Sequence, residues 1–398
     1  LNEGSSSTFV SYVIKTEVSN PPGTFWESKH RYSEFEALRT LLTRIYKTSC
    51  VAPIPEKQTL GDYTKPKAKE DNHMIQKRKR MLQLFLNRIA SHPILGRDHV
   101  FHQFLEGVLG WNEILSSTGF AYLLKKGSDG GGAGDPQFLA AEDFTFRFNH
   151  QVSITHRSEK KIQKIHKEIA DTYADLGKRF NIWSLTDSKL SPVIERIGSS
   201  FDALAGQNSL LALNLEIKVT EPLQEYTQFA KVVEKLLKVR HKKHAEWETV
   251  TESLATKQSN LDKWESSEKE AERISAVLNA EGSSRNDTEQ HHIQKPSQGL
   301  LATLNSFIDN DPELTRRNNI SKAKDAILLL KEKEALVLQE LKKYNQEIQF
   351  DLDRFQRAKI KDFRNLFLNF CLAQKEFHLK CKNEFKGCKE EIERLKFD

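Results

Sequence analysis

The last 75 or so residues constrain the fold most. From about Ser321 to Leu395 the chain carries no proline and a single glycine, Gly387. Along it, Ile327, Leu330, Leu341, Tyr344, Ile348, Leu352, Phe355, Phe363, Leu366, Phe367, Phe370 and Phe377 recur largely at helical spacing. A helix of about 75 residues spans on the order of 110 Å, which no compact domain needs. Two further runs share the pattern. One carries Phe144, Phe148, Ile162, Ile165, Ile169, Tyr173, Leu176, Phe180 and Trp183, with a kink expected at Pro192. The other carries Leu223, Tyr226, Phe229, Val233, Leu237, Val250, Leu261 and Trp264, with a first bend at Pro222. Residues 281–319, with Gly282, Pro296, Gly299 and Pro312, interrupt the periodicity. Three long helices with one apolar stripe each suit an elongated antiparallel bundle, and what stays exposed of the stripes suits a dimer seam. The 398 residues are 38% hydrophobic and 29% charged, a balance ordinary for helices exposed on most faces.

The first hundred residues read differently. Residues 8–16 are rich in β-branched and aromatic side chains, Asn20–Gly23 is a turn, and Phe25–Tyr32 is the returning strand. Ser33 is the expected N-cap of a helix whose apolar side is Phe35, Leu38, Leu41, Leu42 and Ile45. Arg31 and Tyr32 therefore stand side by side at a strand-to-helix junction. A guanidinium offers a planar fork of donors that suits phosphate, and a phenol offers a flat apolar face with a polar tip. Residues 51–57, Val-Ala-Pro-Ile-Pro-Glu-Lys, form a proline-stiffened segment ending in the cation Lys57. A polar loop over about 58–72 leads to a helix with Lys77, Arg78, Lys79 and Arg80 in its first turns and Met81, Leu82, Phe85 and Ile89 as its apolar side. Phe101, Phe104, Leu105 and Leu109 suggest a closing helix, Trp111–Leu115 packs back on the domain or begins a connector, and Gly127–Gly134 is a flexible linker. No strand precedes that glycine run and no Gly-Lys-Ser/Thr follows it, so it is not a nucleotide loop.

These motifs, in this order and spacing, resemble the PX domain, the phosphoinositide-binding module of the sorting nexins. Arg31-Tyr32-Ser33-Glu34-Phe35 is similar to the family's R-Y-S-[D/E]-F, residues 51–57 to its proline loop, and Ile75–Lys79 to the start of its basic helix. The resemblance implies that Arg31 meets a 3-phosphate, Tyr32 the inositol ring, Lys57 the 1-phosphate side, and Arg78 ring hydroxyls and neighbouring phosphate. Two positions depart from the pattern: His30, where a second Arg is common, and Ala52, where the loop's first proline usually stands. PX domains normally have a strand before this hairpin, and none is found. Preceded by a PX domain, the helical half resembles a BAR domain, a curved membrane-binding dimer. The fold class implied is an α+β PX domain, a small antiparallel sheet plus helices, followed by an all-α elongated three-helix BAR domain. The expected division is PX over 1–110, a linker over 111–141, and BAR over 142–398 with a long insert at 281–319. Within the PX-BAR sorting nexins, the residues from Pro53 to Lys57, Arg78 to Arg88 and Trp111 to Leu115 are similar to the fungal group of sorting nexin forty-one and autophagy-related twenty. That resemblance implies binding of phosphatidylinositol 3-phosphate on endosomes, pairing with a sorting nexin four type partner or a homodimer, and roles in endosome-to-Golgi retrieval and selective autophagy.

Charge adds one expectation. Net charge is only +6, so local clusters matter more than the total. If the second and third long helices pair so that 280 sits near 320, then 240 lies level with 360. Lys238, Arg240, Lys242 and Lys243 would then meet Arg354, Arg357, Lys359 and Lys361 as one positive patch for an anionic bilayer. Lys65, Lys67 and Lys69 look like a membrane-facing loop aided by anionic lipid. No run reaches the roughly 18 apolar residues of a membrane span, and no signal peptide is seen at the start. The four cysteines show neither metal nor disulfide spacing, and His241 and His244 lack a third ligand nearby. Aromatic residues follow the helical core stripe rather than interleaving with cations, which argues against a nucleic-acid binder. No catalytic constellation, cofactor motif or metal site is present, so an enzyme is not expected. The alternative reading is a cytosolic coiled-coil scaffold whose PX domain binds protein rather than lipid.

Overall fold

A computed structural model of the chain describes residues 10–18, 23–56, 68–117, 136–186, 189–282 and 312–394. The described residues fall into two compact units. One takes in everything described before residue 240 together with residues from 347 onward; the other spans 240–346.

The first unit opens with strands β1 (Ser11–Val18) and β2 (Thr24–Arg31), antiparallel and in register from Ser11 opposite Arg31 to Val18 opposite Thr24. Gly23, at φ 87°, makes the turn. Helix α1 (Tyr32–Ile45) follows without a break. The sequence expects Ser33 at its N-cap; the cap is Arg31, in extended conformation, and no side chain closes it. The phenol of Tyr32 is thereby already on the helix. Helix α1 buries Phe35, Leu38, Leu41 and Leu42 against Leu82, Phe85 and Ile89 of α2 (Ala68–Ala90) and Phe101 and Phe104 of α3 (His99–Glu106). Helix α2 begins earlier than the basic cluster suggests, inside the expected loop. Asp98 caps α3 by accepting from the Phe101 N–H at 3.0 Å, and also accepts from the Tyr46 hydroxyl at 2.8 Å. Gly107 ends α3 at φ 68°; a Cβ there would stand 2.6 Å from the Ser28 Cβ, so only glycine fits. His30, the first departure from the family pattern, is buried: Nε2 lies 2.7 Å from the Phe104 carbonyl and the ring stacks on Phe104 at 3.7 Å. It ties β2 to α3 instead of facing a ligand. Helix α4 (Trp111–Ser117) packs back on the domain, with Ile114 buried and Trp111 edge-on to Phe104.

Helix α5 (Pro136–Ser184) starts at a proline, six residues before the expected boundary. Pro192 does not kink it. Helix α5 ends at Ser184, and α6 (Ser191–Leu215) starts with Pro192 in its first turn, where a missing N–H costs nothing. Helices α5 and α6 touch closely: a Cβ on Gly198 would meet the Asn181 side chain at 2.1 Å. A single π turn, Glu216–Thr220, joins α6 to α7 (Glu221–Gly282). It ends two residues before Pro222, which has no N–H to donate. Helix α8 (Pro312–Arg394) is longer than expected, because Pro312 begins it rather than breaking it.

Within the first unit the bundle core is aromatic. Tyr226 packs on Phe363 at 4.9 Å, Phe229 on Phe355 at 5.1 Å, and Phe148 on Phe363 at 5.8 Å. The N-terminal module docks on this core through charged pairs. Arg80 pairs with Glu221, and Arg88 with Glu225 and Asp362. His92 and the Cys50 N–H both meet Asp351, and the Thr48 hydroxyl donates to Glu347. In the second unit α7 and α8 run antiparallel around a small core of Leu261, Ala323 and Ile327, with Glu268 accepting from Arg316 and Arg317 and Glu265 pairing with Lys324. Among the described residues no helix is long and apolar enough to cross a membrane, and no cluster of His, Cys, Asp and Glu is suited to a metal ion.

Candidate functional site

Two of the four residues expected to meet a phosphorylated ring, Tyr32 and Arg78, are in contact, and Arg31 precedes the first of them in the chain. Tyr32, in the first turn of α1, donates its hydroxyl to the Pro55 carbonyl at 2.5 Å, which pins the proline segment beside the strand-to-helix junction. Arg78, in the first half of α2, sets its guanidinium carbon 5.0 Å from the centre of the Tyr32 ring. Arg31 is adjacent, its side chain half exposed, with one ion pair from Nε to Glu34 at 3.3 Å. Glu34 also meets His30 Nδ1 at 2.8 Å, so the buried histidine holds the carboxylate that orients the arginine. Burial first, and the nearby Glu36 charge second, push the Tyr32 phenol up to about 12, so the hydroxyl stays a donor. Lys57 lies outside the described residues, as do Lys65 and Lys67; so does the side chain of Lys69.

Arg39 also shapes this place, and sequence reasoning missed it. It donates from Nε to the Ala52 carbonyl at 2.9 Å, and burial pushes its guanidinium below the ordinary value. It bolts down the segment whose second residue, Ala52, lacks the stiffness of the usual proline. The available signal is its place on α1, next to Leu38 on the face that also carries Phe35 and Leu42.

Several members of the expected membrane patch are buried or paired. In the second unit Arg240 donates to Asn345 at 3.1 Å, so 240 lies level with 345 rather than 360. In the first unit Tyr226 donates to Asp362 at 2.7 Å, which sets the 354–361 window beside the start of α7. Burial removes further members. Arg240 is 0% exposed. Lys243 is bound by Glu246 at 2.8 Å and by Glu340, and Arg354 by Asp351 at 2.7 Å. Lys238, Lys242, Arg357 and Lys361 remain exposed, Lys238 paired with Glu234 at 2.8 Å.

Lys359 departs furthest from the expectation. It is 7% exposed, with its ammonium 4.4 Å and 4.5 Å from the ring centres of Phe144 and Phe148. Burial pushes it down to about 8. An unfolded lysine titrates near 10.4, so the unfolded chain binds more protons between about 8 and 10.4, and stability contributed by this group rises with pH there. Lys359→Met is therefore expected to stabilise the protein by about 1–2 kcal/mol at pH 7, with the gain shrinking as pH climbs through that window. Thermal unfolding across pH 7 to 10 checks this; a less stable variant at pH 7 would show that the two rings more than offset the burial.

The PX domain family matches residues 20–107, which bracket this site. Sorting nexin-41 of Cryptococcus neoformans is 32% identical, covering 97% of this chain and 69% of its own length. Sorting nexin-41 of Yarrowia lipolytica is 28% identical over 99% of this chain and 77% of its own. Autophagy-related protein 20 of Gibberella zeae is 26% identical over 98% and 82%. Among solved structures, the SNX-BAR Mvp1 tetramer overlays with a TM-score of 0.61 at 12% identity, covering 97% of this chain and 96% of that one, which shows a shared fold. With the motif site in place and its helices following in the same order, the chain belongs to the PX-BAR sorting nexins, in the group of sorting nexin-41 and autophagy-related protein 20.

Proposed function

We propose that this peripheral membrane protein binds phosphatidylinositol 3-phosphate through Arg31, Tyr32, Lys57 and Arg78, and dimerises through its helical half on endosomal membrane. The observation that carries the reading is the convergence of Tyr32, Pro55 and Arg78 beside a half-exposed Arg31. The arrangement supplies a flat wall for a ring and two guanidinium groups for phosphate. Dimerisation is supported by apolar side chains left in solvent on α8: Phe367 59%, Leu368 51%, Leu372 60% and Leu379 51% exposed. Two headgroup sites on one dimer act together, so avidity raises affinity without new contacts. The partner is a sorting nexin four type protein or a second copy, and the process is endosome-to-Golgi retrieval and selective autophagy. Membrane recruitment rather than catalysis is the activity proposed.

Liposome co-flotation with and without phosphatidylinositol 3-phosphate tests the site. Arg31→Ala is expected to lose the lipid-dependent fraction by about tenfold or more, because a charge-assisted contact to phosphate is removed. Its side chain is solvent-facing, so the fold persists. Flotation indifferent to both the phosphoinositide and Arg31 would favour the protein-binding scaffold. Mass measured alone and with a sorting nexin four type partner distinguishes the two dimers.

A further inference from the structure

A cavity of about 540 Å³ lies on the other side of the proline segment, bounded by α2, α5 and the π turn before α7. That volume is ordinary for a small-molecule site. Its walls carry Lys77 and Arg78 from α2, and His156, Lys160 and Lys167 from α5. The acids are few. Glu216 is already committed, accepting from Gln163 at 2.5 Å and pairing with His73 at 3.1 Å and Lys167 at 3.5 Å; Glu56 is exposed. Among the described residues, neither Lys77 nor Lys160 donates to a carboxylate.

A second observation is independent of charge. Thr220, in the π turn and lining the cavity, is 2% exposed, and its hydroxyl has no hydrogen-bond partner. A buried hydroxyl without a partner costs about 1–3 kcal/mol, which a helix keeps when something else uses the group. Single π turns are frequent at functional positions. The cations also strain one another. Burial first, then Lys160 and Arg80, push Lys77 down against the pull of Glu221 and Glu216; burial, then Lys160 and Lys77, push His156 down. An entering anion offsets the part of each that comes from the neighbouring cations.

We infer that this cavity is a second anion site, which takes a multiply phosphorylated polyol between the basic helix of the PX domain and the helical bundle. Lys77, Lys160 and Lys167 meet its phosphates and Thr220 donates to one of them. The source is either a soluble inositol polyphosphate or the headgroup of a polyphosphorylated phosphoinositide. Because α2 and α5 each supply cations, the occupant also couples the PX domain to the bundle. The inference shares Arg78 with the proposed phosphatidylinositol 3-phosphate site but stands without that reading.

The test uses the full chain carrying Arg31→Ala, so that the first site is weakened, and inositol hexakisphosphate as the soluble probe at physiological salt. Binding is expected, and Lys160→Ala with Lys167→Ala, both exposed, should weaken it about tenfold or more. Thr220→Val should weaken it severalfold while leaving thermal stability unchanged or higher. Lys231→Ala with Lys235→Ala, which removes the same charge elsewhere on the bundle, should change affinity less than about twofold. Vesicles of phosphatidylcholine with phosphatidylinositol 3,5-bisphosphate form the lipid arm. Sensitivity to the α5 pair in that arm alone assigns a lipid headgroup; sensitivity in the soluble arm assigns the free polyphosphate. Equal loss from both lysine pairs, or no loss from either in both arms, overturns the site.

Discussion

Arg88→Ala is expected to lower the unfolding free energy by about 3–5 kcal/mol, the cost of breaking a buried ion pair from one side. Arg88 grips Glu225 with both arms of its fork, Nε to Oε1 at 3.1 Å and Nη2 to Oε2 at 2.9 Å, and Nη2 also reaches Asp362 at 2.6 Å. The Glu225 side chain is only 5% exposed. Without the guanidinium, the buried Glu225 carboxylate faces the partly exposed Asp362 with no counter-charge between them. Burial, its largest influence, already pushes Glu225 above the ordinary carboxylate range, and Arg88 is what opposes that push. The Tyr226 hydroxyl, which donates to Asp362, is drawn into the same network. Urea unfolding of Arg88→Ala, Glu225→Gln and the double variant gives the coupling directly; a single-variant loss below about 1 kcal/mol would mean that solvent replaces the arginine. The consequence reaches beyond stability, because this network holds the N-terminal module against the bundle.

Asp351→Ala is the second large effect, again about 3–5 kcal/mol. One carboxylate there receives the Cys50 N–H at 2.5 Å, His92 Nε2 at 3.0 Å and Arg354 Nε at 2.7 Å. His92 Nδ1 accepts from the backbone N–H groups of Ile94 and Leu95, both at 3.2 Å, so Nε2 carries the proton that Asp351 accepts. Removing the aspartate orphans a buried backbone N–H, a buried imidazole N–H and a guanidinium together. Burial pushes the Asp351 carboxyl up, but the donors from His92 and Arg354, the Arg354 charge and the Cys50 N–H outweigh it and hold the group down at about 2. The ordinary value is near 3.9. The folded value is depressed, so this stabilisation is fully present above about pH 4 and is lost as pH falls toward 2. Wild-type stability should fall through that window, and Asp351→Asn should be flatter across it. Parallel slopes for the two proteins would remove Asp351 from the acid limb.

The candidate site was legible because its parts are local. Arg31 and Tyr32 are chain neighbours at a junction that strand content and helical periodicity both mark. Arg78 lies on a helix whose basic run precedes its apolar side. Arg39 was not legible: an arginine on a helix looks alike whether it faces solvent or bonds the Ala52 carbonyl. The prolines were found but misjudged in role. Pro192 and Pro312 sit in first turns, where a missing N–H is harmless.

Periodicity by itself determined that this chain has long helices and which of their faces are apolar, and local motifs that an N-terminal module precedes them. It could not determine axial register. An apolar stripe repeats every few residues, so sliding one helix along its neighbour leaves the stripe facing the core. Register comes from side-chain pairs distant in sequence, Arg240 with Asn345 and Glu268 with Arg316, and only the tertiary structure supplies them. For the same reason Lys359, written into the chain as one more cation, ends between two phenyl rings: its neighbours come from a helix some two hundred residues away. Charge is a property of the sequence, but whether a charge meets water, a carboxylate or an aromatic face is decided by packing.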